Sequence, residues 1–148
     1  MTASSDSRSN NLPNQGSRAG AVLVTGTTSG VGLNAVKALT DRGWTVVTAN
    51  RDPIRAGAAA DSLGIPSEKL HHIRMDLGDL ESVRAGVETL INSLGFGLDA
   101  LVINAAVYKP RLKEPERSPQ GYELSMACLL YTSPSPRDAT LSRMPSSA

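Results

Sequence analysis

The residues of this chain best suited to chemistry are three glycines, Gly26, Gly30 and Gly32, spaced as Gly-x-x-x-Gly-x-Gly. They follow the apolar segment Ala21–Thr25 and lead into an amphipathic stretch, residues 31–42, so the pattern predicts a strand, a glycine turn and a helix. Such a turn brings backbone N–H groups close to a pyrophosphate held at the positive end of a helix. The motif predicts a dinucleotide site, although glycines also mark ordinary strand-to-helix turns.

A second candidate is Arg51, which follows the neutral Asn50 at the end of a predicted strand, residues 44–50. A carboxylate at this point of a dinucleotide fold accepts hydrogen bonds from the adenosine ribose and favours NAD, whereas an arginine favours the 2′-phosphate of NADP. A charge-assisted contact of this kind contributes about 1.5–3 kcal/mol. We therefore predict NADPH as the cofactor. The alternative for Arg51 is a surface ion pair with Asp52.

Two further strand ends are predicted to complete the site. Asp76 and Leu77 end the predicted third strand, where a carboxylate accepts from the adenine amino group beside an apolar wall. The alternative for Asp76 is a helix-capping network with Asp79. Asn104 and Ala105 end the predicted fourth strand, and small side chains there let the backbone approach a cofactor closely or simply pack tightly.

The elements that position these residues alternate along the chain. Strands are predicted at residues 21–25, 44–50, 70–77 and 99–106, and helices at residues 31–42, 53–63, 80–94 and 118–127. In the last helix Ser118 is the predicted N-cap and Pro119 the first helical residue. Alternation of this kind means parallel strands and right-handed crossovers. We predict an α/β fold, a truncated Rossmann-like doubly wound parallel sheet comprising its first four strands, whose open edge favours poor folding.

Composition argues against several classes of protein. The 148 residues include 15 Lys and Arg and 14 Asp and Glu, for a net charge of +1, so nothing favours a nucleic-acid or anionic-membrane partner. No apolar run approaches the roughly 18 residues of a membrane span. His71 and His72 stand at the start of a predicted strand and are expected to be ordinary, partly exposed residues without a metal. Residues 1–20 have no hydrophobic stretch and are predicted to be a disordered N-terminus.

Residues 128–148 carry a separate signal. Residues 128–138 and 142–148 back-translate in one frame into two successive segments of a transposase adapter used for sequencing libraries, and residues 139–141 leave room for an index. We therefore predict that residues 128–148 are a non-native tail that takes no part in the fold; the alternative is a disordered Ser/Pro tail. Residues 21–127 are then the N-terminal half of an NADP-binding domain. They contain no cysteine, because Cys128 is the only one in the chain.

The glycine loop and the run Asn104 to Ala106 resemble the short-chain dehydrogenases/reductases. Residues 104–125, 41–44 and 98–102 resemble more narrowly the light-dependent NADPH:protochlorophyllide oxidoreductases, and the similarity extends over residues 22–127. The resemblance implies reduction of the C17–C18 double bond of protochlorophyllide to chlorophyllide with NADPH, in chlorophyll biosynthesis. It also implies a location in the plastid of a eukaryote, or in the cytoplasm of a cyanobacterium beside the photosynthetic membrane.

The same resemblance implies the members of the cofactor site. They are Gly26, Thr28, Ser29, Gly30, Val31 and Gly32 for the phosphates and ribose, Arg51 for the 2′-phosphate, Asp76 and Leu77 for adenine, and Asn104 and Ala105 for the ribose beside the nicotinamide. The family's proton donor is attributed to a tyrosine in a Tyr-x-x-x-Lys motif. This sequence has no such motif, because Leu112, Met126 and Ser135 stand four positions after its tyrosines. We therefore assign no catalytic residue and expect this chain alone to be inactive.

Two other functions fit the same nucleotide loop. A different NADP-dependent short-chain dehydrogenase, such as a retinol-type enzyme, would act in the dark on an alcohol or ketone. A non-catalytic NADP-sensing protein would keep the loop and lack the tyrosine. A requirement for light would separate the photoreductase from the retinol-type enzyme. A Tyr-x-x-x-Lys motif in the reading frame without the adapter sequence would exclude the non-catalytic NADP sensor. Tyr108 lies near the expected substrate mouth and receives no acid–base role.

Overall fold

The structure, a computed structural model, describes residues 20–95, 97–107 and 114–131, with side chains as far as residue 129. The strands are β1 (Ala21–Thr25), β2 (Thr45–Asn50), β3 (Leu70–Arg74) and β4 (Ala100–Val102). The helices are α1 (Gly30–Asp41), α2 (Pro53–Ser62), α3 (Leu80–Leu94) and the short α4 (Leu124–Met126), with a 3₁₀ turn at Ser67–Lys69 and a π-helical turn at Ala127–Tyr131. The predictions for the N-terminus, for Tyr108 and for residues 132–148 fall outside the described residues.

The four strands form one parallel sheet in the order β3-β2-β1-β4. Val22 lies opposite Val46 of β2 on one side and Ala100 of β4 on the other. In the same register Val46 lies opposite Leu70 of β3. This topology confirms the predicted α/β fold, the first four strands of a doubly wound sheet.

Alternate residues of the strands pack into two separate cores. On one face Leu23, Val47 and Ile73 contact Leu90 and Leu94 of α3. On the other face Val22, Val24 and Val46 pack with Val36 of α1 and Ala60 of α2. Because successive strand side chains point to opposite faces, a sheet that is buried on both faces requires the near-continuous apolar runs of β1 and β2.

Aspartate carboxylates cap the first turns of α2 and α3; only the cap at Asp79 was predicted. The Asp52 carboxylate accepts a hydrogen bond from the Arg55 backbone N–H at 3.1 Å, and Pro53 occupies the first turn of α2. The Asp79 carboxylate accepts from the Glu81 backbone N–H at 3.1 Å. None of the helices in the described part of the chain has the length and apolar character to cross a membrane.

Two predicted strands are shorter than their sequences suggest. β3 ends at Arg74 rather than at residue 77, because the Asp76 backbone N–H donates to Ser82 Oγ (2.9 Å) and leaves the ladder. β4 ends at Val102 rather than at residue 106, because the backbone N–H groups of Asn104 and Ala105 both donate to Thr25 Oγ1 at 3.0 Å. The four predicted site residues beyond these strands therefore lie in loops.

The prediction that Ser118 and Pro119 begin a helix is wrong. The Ser118 carbonyl instead accepts from the Gly121 N–H at 2.9 Å, and Ser118 Oγ accepts from the Tyr122 N–H at 3.2 Å. Gly121 has a φ of 84°, which ends any helix at this point. The helix begins instead at Leu124, where the Glu123 carboxylate accepts from the Met126 N–H at 2.9 Å.

Candidate nucleotide-binding cleft

A cleft of about 430 Å³ opens at the carboxyl ends of the strands. The chain passes from β1 to β2 and β3 on one side and returns to β4 on the other, so β1 and β4 meet at the switch point where open α/β sheets bind ligands. Eight of the predicted site residues line the cleft: Gly26, Thr28, Ser29, Arg51, Asp76, Leu77, Asn104 and Ala105. Gly30, Val31 and Gly32 do not line it.

The glycine loop has no room for larger residues at two of its positions. Gly26 has a φ of 69°, and a Cβ there would lie 2.7 Å from the Ala105 Cα. A Cβ on Gly32 would overlap the Gly26 carbonyl oxygen and lie 2.5 Å from Asn104 Nδ2. Gly32 therefore packs the start of α1 against the loop, while Gly30 (φ 60°) faces open space. Val31 points outward, with 79% of its side chain exposed.

The N-terminus of α1 has no internal anion. Ser29 is extended, with a φ of −170°, and among the described residues no side chain caps this helix. Its first turn contains no acidic residue either. The first backbone N–H groups of a helix carry its partial positive charge and need an acceptor. At α1, beside Thr28 and Ser29 of the cleft, a bound anion can supply that acceptor.

Asparagine side chains fasten the loop to its neighbours on both sides. Asn104 Nδ2 donates to the carbonyls of Thr25 (3.1 Å) and Gly26 (2.9 Å), which joins the loop after β1 to the loop after β4. On the other side Asn50 exchanges two hydrogen bonds with Thr27. These hydrogen bonds tie the backbone of the glycine loop to the ends of β2 and β4.

Two guanidinium groups lie at the β2 end of the cleft. Arg51 and Arg55 both line it and are both exposed. The alternative role for Arg51 was an ion pair with Asp52, and the structure contains no such pair, because Asp52 caps α2 instead. Sequence reasoning missed Arg55, the third residue of α2, because the path of the chain after β2 rather than helical spacing brings it to the cleft.

Asp76 has a place in the wall of the cleft and a structural contact in the turn before α3. It lines the cleft beside Leu77, and its Oδ1 also accepts from the Gly78 N–H at 2.9 Å, which closes the turn before α3. The Asp76 carbonyl accepts from the Asp79 N–H at 3.1 Å. One carboxylate oxygen therefore holds the turn while the residue forms part of the wall of the cleft.

The first residue of the predicted tail forms part of the cleft. Cys128 lines it and packs with Leu23, Met75 and Leu77 in one core. Burial raises the pKa of the Cys128 thiol, Asp76 raises it further, and Arg51 opposes the shift. The thiol is therefore neutral near pH 7.

The two histidines lie away from the cleft, on β3. His71 is exposed, and His72 Nδ1 lies 2.6 Å from Thr48 Oγ1. Burial lowers the pKa of His72, against a smaller opposing effect of Asp61. The described residues contain no group of three or more His, Cys, Asp or Glu side chains placed to hold a metal ion.

The fold and the cleft are those of an α/β domain of the dinucleotide-binding type, and comparison with known proteins identifies the family. The model of the short chain dehydrogenase family matches residues 20–128. The chain therefore belongs to the short-chain dehydrogenases. One solved relative is the L-sorbose reductase from Gluconobacter frateurii complexed with NADPH and L-sorbose, which is 27% identical with a TM-score of 0.61 over 78% of this chain and 43% of that one.

More similar sequences carry one activity in their names. A chloroplastic protochlorophyllide reductase of Daucus carota is 47% identical over 110 residues, 74% of this chain and 27% of the relative. A second, from Chlamydomonas reinhardtii, is 49% identical over 105 residues, 70% of this chain and 26% of the relative. The chain thus spans about a quarter of the length of these curated relatives.

Proposed function

We propose that this chain is the NADPH-binding N-terminal part of a light-dependent protochlorophyllide reductase. The observation that carries the nucleotide part is the pairing of two sites across one cleft, the open helix terminus at Ser29 and the guanidinium groups of Arg51 and Arg55. A dinucleotide with a 2′-phosphate has anionic groups at both places. A cofactor without that phosphate would leave both arginines without a ligand anion.

The residues present fit such a ligand in shape and in charge. Thr28, Ser29 and the first N–H groups of α1 receive the pyrophosphate, because among the described residues no side chain caps this helix. Arg51 and Arg55 hold the 2′-phosphate by charge-assisted hydrogen bonds. The residues of the remaining proposed contacts, Asp76 and Leu77 for adenine and Asn104 and Ala105 for ribose, line the same cleft.

The substrate part of the proposal is supported by the relatives. At 47% and 49% identity, the two named protochlorophyllide reductases share far more of this sequence than the sorbose reductase does at 27%. When bound, NADPH supplies the hydride for the C17–C18 double bond of the pigment. This chain's residues orient that cofactor, and none of its tyrosines stands in a Tyr-x-x-x-Lys motif.

The proposal includes inactivity of the 148-residue chain by itself. The motif that would supply a proton is absent from its sequence, and we propose that residues 128–148 are the non-native tail that replaces the family's own continuation. The family match ends at residue 128, within one residue of this boundary. In a eukaryotic source the parent protein would act in the plastid, as the names of the chloroplastic relatives suggest.

Nucleotide titrations test the cofactor assignment. Replacing Arg51→Gln removes a charge-assisted contact, so we expect the Kd for NADPH to rise about tenfold or more, with the Kd for NADH unchanged. Arg55→Gln should act in the same direction. Arg42→Gln is the matched control, because Arg42 is exposed and its guanidinium donates to the Ala38 carbonyl at the far end of α1. Equal losses for NADPH and NADH, or no loss, would contradict the assignment.

A test of the substrate assignment requires protein from the reading frame without the adapter sequence, because the 148-residue chain lacks the Tyr-x-x-x-Lys motif. Protein expressed from that frame should convert protochlorophyllide to chlorophyllide with NADPH under illumination and not in darkness, measured by the change in pigment absorbance. The 148-residue chain should give no conversion under the same light. Dark turnover of an alcohol or ketone by the longer protein would assign it to another branch of the family.

A further inference from the structure

Asn50 lines the cleft, and its side chain is hydrogen-bonded to Thr27 of the glycine loop, the proposed phosphate loop. Its Oδ1 accepts from the Thr27 backbone N–H at 2.8 Å, and its Nδ2 donates to Thr27 Oγ1 at 2.9 Å. Asn50 is 5% exposed and Thr27 is 1% exposed. The two residues thus form a closed pair of hydrogen bonds that is shielded from water.

The pair fixes the loop at its centre. Thr27 stands between Gly26, whose N–H donates to the Ala49 carbonyl at 3.2 Å, and the cleft residues Thr28 and Ser29. The backbone leading into α1 is therefore hydrogen-bonded to Ala49 and Asn50, the last two residues of β2. Substitution of Asn50 would remove the acceptor of the buried Thr27 N–H and so alter the backbone that precedes the first turn of α1.

We propose that Asn50 is a positioning residue for the phosphate loop and takes no part in reading the adenosine ribose. The proposal rests on the nucleotide function above and refines it. A ribose contact would require the Asn50 side chain to leave two buried hydrogen bonds, and the Thr27 N–H would then lack an acceptor. The choice between NADP and NAD then falls to Arg51 and Arg55, although position 50 is where a carboxylate selects NAD in other dinucleotide folds.

Binding of three probes to the full 148-residue chain separates positioning from readout. NADPH and NADH both need the phosphate loop, while adenosine 2′-monophosphate presents only the adenine, the ribose and the 2′-phosphate. For Asn50→Leu we expect about a tenfold higher Kd for NADPH and for NADH, because both lose the ordered loop. The Kd for adenosine 2′-monophosphate should stay within about twofold. Asn92→Leu, at an exposed position of α3, is the control and should change none of the three.

The variant Asn50→Asp distinguishes positioning of the loop from contact with the ribose. Both carboxylate oxygens can accept from Thr27, one from its N–H and one from its hydroxyl, so the loop stays in place. Positioning predicts no gain in NADH affinity. A gain of about tenfold in NADH affinity would mean that residue 50 reads the ribose, and it would overturn the proposal.

Variants of Thr27 provide a second test if Asn50→Leu does not fold. Thr27→Val keeps the shape and removes the hydroxyl, so it should weaken NADPH and NADH by one common factor, and Thr27→Ser should restore both. Failure of Thr27→Ser to restore binding would count against the proposal. If the unchanged chain binds no NADPH, the proposed function fails instead. Positioning is then judged by whether Asn50→Asp preserves, and Thr27→Val reduces, the protection of the Thr27 amide from hydrogen exchange.

Discussion

Helices α1 and α3 both begin at the carboxyl edge of the sheet, but only the first turn of α3 has side-chain acceptors for its backbone N–H groups. At α3 the Asp79 carboxylate accepts from the Glu81 N–H, and Gln120 both donates to that carboxylate (2.8 Å) and accepts from the Leu80 N–H (3.4 Å). An acidic residue, Glu81, lies in the first turn. At α1 the N-cap Ser29 makes no such bond and no acid follows it.

The difference separates a structural helix start from one that is suited to a ligand. Both termini carry partial positive charge from their unpaired N–H groups. The chain neutralises that charge at α3 with its own oxygen atoms, which binds the segment around Gln120 to the body of the domain. At α1 the charge is left facing the cleft, and the loop that carries it is held rigid by Asn50 and Asn104.

Substitution of Gly32 should break the α1 arrangement most severely. For Gly32→Ala we expect about 2 kcal/mol lower stability and loss of measurable NADPH binding, because the new Cβ overlaps the Gly26 carbonyl. Gly57→Ala is the matched control within α2, where a Cβ would meet only His72 Nε2 at 3.8 Å. It should raise stability by up to about 1 kcal/mol, since alanine favours helix. Chemical denaturation and nucleotide titration measure both, and equal effects of the two variants would refute the packing role of Gly32.

Exchanging the acid between the two helix starts should sharpen the comparison. Ser29→Asp gives α1 its own cap, so we expect a Tm higher by a few degrees and a Kd for NADPH about tenfold higher, as the carboxylate repels the phosphate. Asp79→Ala should lower the Tm by a few degrees and leave the Kd unchanged. Unchanged NADPH binding by Ser29→Asp would mean that the phosphates lie elsewhere.

The smallest effect concerns acid pH. Hydrogen bonding by the Gln120 side chain lowers the pKa of Asp79 below its ordinary value of 3.8, aided by the N–H groups of Glu81 and Ser82. A lowered folded-state pKa means stability that is present above about pH 4 and lost as pH falls through the folded value. Gln120→Ala should raise the pKa of Asp79 in an NMR titration and leave that of Glu123, held low mainly by the Met126 N–H, unchanged. Parallel movement of both would indicate a general change in the segment.

Sequence reasoning succeeded where the determinants are local. The glycine spacing around Gly26 and Gly32, the Asp79 cap and the apolar pattern of α3 each act within a few residues of chain. It was wrong at the ends of β3 and β4 and at Ser118, where hydrogen bonds to Ser82, to Thr25 and within a glycine turn determined the boundary. These partners compete with the strand ladder or the helix in ways that propensity does not reveal.

The sequence by itself determined the α/β class, the strand and helix order and the position of the glycine loop, because strand and helix periodicity and glycine conformation are properties of short segments. Tertiary structure alone decided which side chains meet: that Arg55 joins Arg51 at the cleft, and that Asn50 turns inward to Thr27. Residues from different strands and helices share one cleft only after the sheet pairs in register. The acceptor that a buried N–H finds depends on that packing rather than on its neighbours in the chain.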